Sequence, residues 1–185
     1  DKLNWLGLSY NPSAIHILEK NLDRVDWCAL SMNPSAIHIL EKNIDRVDWY
    51  ALSMNPSAMH ILEKNLNNVV WGWLSYNPSA IHILEKILDD RGALLSSYRA
   101  KIDWSALSRN PSAMHILEKN LDNGSGAPYG VTIDWGWLSY NPSAIHILEQ
   151  NLDKVNWYWL SRNPSAIHLL ERNLDNVNWY ILSVN

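Results

Sequence analysis

The sequence predicts an all-α fold, an α-solenoid of about seven and a half 22-residue helix-pair repeats with two loop insertions, on three observations. The stretch NPSAIHILEKNLD, residues 11–23, returns almost unchanged at Asn33, Asn55, Asn77, Asn110, Asn141 and Asn163, at spacings of 22, 22, 22, 33, 31 and 22 residues. Trp5, Trp27, Trp49, Trp71, Trp104, Trp135, Trp157 and Trp179 follow the same spacing. The repeats also hold two helix-start signals, an Asp or Asn before the Trp in seven of its eight copies and the Asn-Pro pair that follows the first seven. Units this short bury their apolar faces only against their neighbours. One repeat domain over residues 1–185 is expected, interrupted at 90–101 and 123–132.

In the copy VDWYALSMNPSAMHILEKN, residues 47–65, Asp48 is a good N-cap because its carboxylate can accept from free backbone N–H groups of the next turn. The cap position is Asn4, Asp26, Asp48, Asp103, Asp134, Asn156 or Asn178, with Val70 the exception. Val47 and Leu52 match a hydrophobic staple. A first helix is expected from Trp49 to Met54, with 3₁₀ geometry open to so short a piece. Asn55 then caps a second helix with Pro56 at its first position, where the missing N–H costs nothing. That helix is expected to run to Lys64 and to end at Asn65 in a left-handed conformation. IHI alternates as a strand would and leucine-rich repeats have similar periods, but Asn21 falls one residue out of their register and the two caps per repeat favour helix.

Charge and composition bound the function. The net charge of −4 is spread along every repeat, which disfavours a nucleic-acid binder working by phosphate neutralisation. Cys28 is the one cysteine, so no intrachain disulfide can form and a reducing compartment fits. No apolar run approaches the ~18 residues of a membrane span, and no signal peptide opens the chain. The chain starts without Met and ends half-way through a repeat, as a segment of a longer array would.

Each repeat carries one histidine: His16, His38, His60, His82, His115, His146 and His168. Metal binding needs several ligands within ~2–2.3 Å of one ion, and histidines one repeat apart sit about a helix spacing from each other. Catalysis needs one unique constellation, whereas this chain repeats its polar groups. The expectation is therefore no enzyme, no metal and no cofactor. The histidines should instead form a hydrogen-bonded ladder between repeats. The constant Glu of each repeat (Glu19, Glu41 and their equivalents) belongs to the same scheme, with Lys or Arg in the adjacent turn, such as Arg24 or Arg46, as its partner.

Three positions on the first helix vary. After the Trp come Leu6, Cys28, Tyr50, Gly72, Ser105, Gly136, Tyr158 and Tyr180, and one further on Gly7, Ala29, Ala51, Trp73, Ala106, Trp137, Trp159 and Ile181. Just before Asn-Pro stand Tyr10, Met32, Met54, Tyr76, Arg109, Tyr140 and Arg162. The first and third sets are four residues apart and share a helical face. Tyr, Met, Trp and Arg are enriched in protein-binding surfaces. The middle set is expected to be mostly core. For Tyr10, Met32, Tyr50, Met54, Tyr76, Arg109, Tyr140, Tyr158 and Arg162 two readings stand: an exposed partner-binding face, or rings filling gaps between repeats. The insertions add candidate binding-loop residues, Arg91, Tyr98, Arg99 and Tyr129. Ile87 replaces the terminating Asn before the first insertion, so that helix should run on. The second, NGSGAPYGVT, lacks the lysine and helix start of a phosphate-binding loop.

The pattern LSxNPSAIHILEKNLDxVDWxxLS resembles the short tandem repeats abundant in proteins of large DNA viruses that infect amoebae, which commonly read Asn-Pro-Asn-Ala-Ile where this chain has Asn-Pro-Ser-Ala-Ile. The likeness covers all but the insertions. It implies a viral origin and no known catalytic activity. The resulting expectation is a non-enzymatic protein–protein interaction scaffold in the host cytoplasm. The alternative is a structural component of the virus particle, a minor capsid or internal protein assembling with other viral proteins.

Overall fold

The computed structural model describes residues 3–90, 95–121 and 132–184. Among these it is a helical repeat solenoid of sixteen short α-helices without a strand. The chain divides into two compact units, residues 1–87 and 88–185. In the first unit the Trp helices are Trp5–Tyr10, Trp27–Met32, Trp49–Met54 and Trp71–Tyr76, and each packs on the next. They alternate with the His helices Ile15–Leu18, Ile37–Lys42, Met59–Lys64 and Ile81–Asp89. The second unit repeats the scheme with Trp104–Arg109, Trp135–Tyr140, Trp157–Leu160 and Trp179–Leu182, and with Met114–Asn120, Ile145–Glu149 and Ile167–Glu171. Ser96–Arg99 is a single helical turn from the first insertion.

Local chemistry explains the Trp helices. Trp49–Met54 is α-helical over the predicted residues, and Asp48 Oδ1 accepts from the Ala51 N–H at 2.9 Å. Asn4, Asp26, Asp103, Asp134, Asn156 and Asn178 cap their helices the same way, and Val70 makes no side-chain cap. The second helix starts later than expected. Pro-Ser-Ala forms its own turn, 3₁₀ at Pro12–Ala14, Pro78–Ala80, Pro111–Ala113 and Pro142–Ala144, and the α-helix begins only at the following Ile or Met. Asn55 Oδ1 closes such a turn by accepting from the Ser57 N–H at 3.0 Å. At the other end Asn65 is not left-handed: its φ is −131° and its Nδ2 donates to the Ile61 carbonyl at 2.7 Å. Side-chain satisfaction of a free carbonyl replaces the expected left-handed cap. Ile87 lacks that amide, and the helix there continues to Asp89, nine residues in all.

Helices of four to nine residues are unstable alone, so packing must hold them. Leu30, Leu52 and Leu74 of the Trp helices and Leu40, Leu62 and Leu84 of the His helices are completely buried in the first unit, and Ala36, Ala58 and Ala80 let the backbones approach. In the second unit Leu107, Leu138 and Leu160 of the Trp helices and Leu117 and Leu148 of the His helices are completely buried in the same way.

The repeats are also joined by buried polar groups. Ser53 Oγ donates to the Trp49 carbonyl at 2.8 Å and accepts from the Val70 N–H of the next repeat at 3.0 Å. Ser9, Ser31, Ser108, Ser139 and Ser161 receive the equivalent N–H from Asp26, Asp48, Asp134, Asn156 and Asn178. One turn on, Asn55 Nδ2 donates back to the Ser31 carbonyl at 2.9 Å and the Asn33 carbonyl at 3.2 Å. Asn163 does the same towards Ser139 and Asn141. Asn33, Asn55, Asn77, Asn141 and Asn163 thus cap their own turns with their oxygens and staple the preceding repeat with their nitrogens.

Candidate interaction face

Histidines do pair with the neighbouring repeat, and their partner is the constant glutamate, for which Lys or Arg was expected. His38 Nε2 lies 2.5 Å from Glu19 Oε1, and His60 and His82 meet Glu41 and Glu63 at 2.6 and 3.1 Å. In the second unit His146 pairs with Glu118, and His168 with Glu149 at 2.8 Å. The Glu therefore binds the His of the following repeat. The arginines expected there lie elsewhere: Arg24 and Arg46 stack over Trp5 and Trp27, 4.5 and 4.3 Å from the ring centroids. A guanidinium is weakly hydrated and flat, so covering a half-buried indole is a good use of it. Lys154 occupies the equivalent place over Trp135 at 5.0 Å. These His and Glu side chains are roughly half exposed and already paired. Among the described residues no three His, Cys, Asp or Glu converge as a metal site would require, and no helix is long and apolar enough to cross a membrane.

The variable residues form the exposed side of the Trp helices. Tyr10, Tyr50, Tyr76, Tyr140 and Tyr158 are 37–50 % exposed, and Arg109 and Arg162 are also exposed. Met32 and Met54 are half-buried. Neighbouring repeats touch along this face: Tyr10 Oη donates to Met32 Sδ at 3.7 Å, and Tyr50 meets Trp73 edge-on at 5.0 Å.

The middle set is only partly core. Ala29 and Ala51 are fully buried and Ile181 nearly so, whereas Trp73, Trp137 and Trp159 are half-buried and join the face. An indole is too large for the slot an alanine fills between adjacent helices, so it turns outward along its neighbour. Gly136 helps: a Cβ there would lie 3.1 Å from Asp134 Oδ1 and 3.5 Å from the Trp159 ring. In the second unit the result is one aromatic cluster. Trp137 and Trp159 stack with centroids 5.4 Å apart and planes at 29°, and Tyr140 stands edge-on to both at 6.4 and 5.8 Å. Tyr158 is edge-on to Trp159 at 5.3 Å. Arg109 lies 4.5 Å from the Trp137 centroid and Arg162 5.9 Å from that of Trp159. These tryptophans were missed as surface residues because Trp in an otherwise Ala position reads as core.

Of the candidate loop residues, Arg91 and Tyr129 lie outside the described residues. Arg99 does not project as a binding-loop residue: it is 5 % exposed at the end of the turn Ser96–Arg99. Tyr98 is half-buried, with Lys101 Nζ 5.3 Å from its ring centroid. Cys28 is exposed, and its thiol is held above its ordinary pKa by desolvation first, then by the charges of Asp48 and Asp26 and a hydrogen bond to Asp48. Ser105 makes the corresponding contact, its Oγ donating to Asp134 Oδ2 at 2.8 Å. Against known proteins, the chain matches no family model, no curated protein and no solved structure.

Proposed function

We propose that the protein is a non-enzymatic interaction scaffold whose partner-binding face is the variable stripe of the Trp helices. The observation that carries this reading is a division of labour among its polar and aromatic groups. The repeated Ser, Asn, His and Glu side chains are engaged in joining one repeat to the next. The residues that differ between copies carry the exposed tyrosines and arginines. Large amphipathic rings and Arg supply much of the binding energy at protein interfaces, and variation confined to one face is how an array of near-identical units acquires specificity. The test is cross-linking of the tagged chain in cells that express it, comparing the parent with Tyr10→Ala, Tyr76→Ala and Tyr140→Ala. Loss of the same captured proteins in the variants supports the scaffold, and unchanged capture by all three rejects it.

A second reading, a structural component of a virus particle, draws on the likeness of the repeats to those of large DNA viruses and on the number of inter-repeat bonds, which stiffen an array. Mass spectrometry of purified particles against infected-cell lysate separates the two. Enrichment at a fixed ratio to capsid proteins favours the particle component, and absence from particles favours the scaffold.

A further inference from the structure

A further variable position lies in the turn after the His helix, nineteen residues beyond the tryptophan. It is Arg24 for Trp5, Arg46 for Trp27, Asn68 for Trp49, Lys154 for Trp135 and Asn176 for Trp157. We propose that Trp49 and Trp157, whose turns supply no cation, each receive an arginine side chain of a basic protein partner.

The other repeats show what the place beside the ring accepts. Arg24, Arg46 and Lys154 lie 4.5, 4.3 and 5.0 Å from the centroids of Trp5, Trp27 and Trp135. The backbone does not change when the residue does. The N–H groups of Arg24, Arg46 and Asn68 each donate at 2.9 Å, to the carbonyls of Asn21, Asn43 and Asn65. Lys154 and Asn176 donate to Asn151 and Asn173 at 3.0 and 2.9 Å, in matching 3₁₀ turns. Asn68 and Asn176 are exposed, and their short neutral side chains bring no charge to the ring. Trp49 and Trp157 are half-buried, and among the described residues no cation or second ring stacks on either. For Trp71 and Trp104 the same position falls in the insertions, and those rings are only 7 and 5 % exposed. Trp49 and Trp157 thus keep the indole of a cation–π pair whose cation has been exchanged for Asn.

Charge complements this. In these turns and the caps that follow them, Asp23, Asp26, Asp45, Asp48, Asp153 and Asp175 outnumber Arg24, Arg46 and Lys154. The three cations already lie on rings, so this edge of the repeats attracts a basic segment. At Trp157 the acidic residue of the turn, Asp175, is kept while the cation beside it is lost. Arginine suits the place better than lysine, because a flat and weakly hydrated guanidinium can lie on an indole while its edge donates to a carboxylate. The site consists of a constant tryptophan beside one exchanged residue, so it stands whether or not the variable stripe binds a partner.

The experiment is fluorine NMR of the whole chain carrying fluorinated tryptophan, titrated with the peptide N-acetyl-Gly-Arg-Gly-amide. Single substitutions such as Trp49→Phe assign the signals. The Trp49 and Trp157 signals should shift saturably, and those of Trp5 and Trp27 should shift far less. Citrulline in place of the peptide arginine keeps the shape without the charge and should weaken binding roughly threefold or more. Asn68→Arg should weaken the Trp49 response as much and leave Trp157 responding. Arg46→Asn should make Trp27 respond as Trp49 does. Each exchange installs a residue that the same turn already carries in another repeat, so the fold accommodates it. Equal binding of the arginine and citrulline peptides overturns the proposal, as does absence of saturation. An unchanged Trp49 response in Asn68→Arg, or a silent Trp27 in Arg46→Asn, overturns it too. Tighter binding of phosphocholine than of the arginine peptide assigns the rings to a quaternary ammonium and rejects the protein partner.

Discussion

Asn55 and His60 lie five residues apart in one repeat, and both reach back to the repeat before. Asn55 is 1 % exposed and donates to two backbone carbonyls, while His60 and Glu41 pair with nearly half of each side chain in water. Water decides their worth. A buried amide that loses its partners leaves desolvated groups behind, at roughly 1–3 kcal/mol for each group stranded. An exposed pair exchanges its partner for solvent and gives up about 0–1 kcal/mol. Two polar ladders with the same period therefore differ in kind: the Ser–Asn spine holds the repeats together, and the His–Glu ladder adds little to stability while favouring one register.

Asn55→Ala should test that contrast most severely. It strands the Ser31 carbonyl, leaves the Asn33 carbonyl with the Ala36 N–H alone and removes the acceptor of the Ser57 N–H, so urea denaturation should register a loss of about 3 kcal/mol. Ser53→Ala leaves the Val70 N–H without its acceptor and should cost about 2 kcal/mol by the same measurement. Asp48→Ala removes a helix cap and should cost about 1 kcal/mol. His60→Gln should cost less than about 1 kcal/mol, and its effect should shrink as salt is added. A His60→Gln loss as large as that of Asn55→Ala would break the comparison. The smallest effect is on reactivity. Because Cys28 is held above its ordinary pKa, its alkylation at pH 8 should be slower than that of a free cysteine and keep rising at higher pH. Asp48→Asn should speed it only in part, since desolvation is the larger cause and remains.

The parts legible in the sequence were those with local causes. Asp48 caps the helix from Trp49 to Met54 because cap and helix lie within one turn of chain, and repetition showed the same solution again. The misreadings fell where a side chain chose between near and distant partners. Asn55 does cap its turn, but its amide also reaches the preceding repeat, and the tight Pro-Ser-Ala turn delays the α-helix to Met59. Arg46 was placed with a carboxylate and instead covers Trp27. The half-buried Trp137 and Trp159 belonged to a set read as mostly core, because ring size against slot size is visible only once neighbouring helices are in place.

By itself the sequence determined the fold class, the period, the caps and which residues distinguish one repeat from another, since periodicity and capping depend on nearby chain. The tertiary structure alone decided what joins the repeats and where the aromatic residues face. Leu-Ser and Asn-Pro are ordinary turn and cap residues until stacking brings a serine oxygen to the next repeat's N–H and an asparagine amide to the previous repeat's carbonyls. Those bonds form between groups 17 to 24 residues apart, and they persist because burial removes the water that would otherwise compete for them.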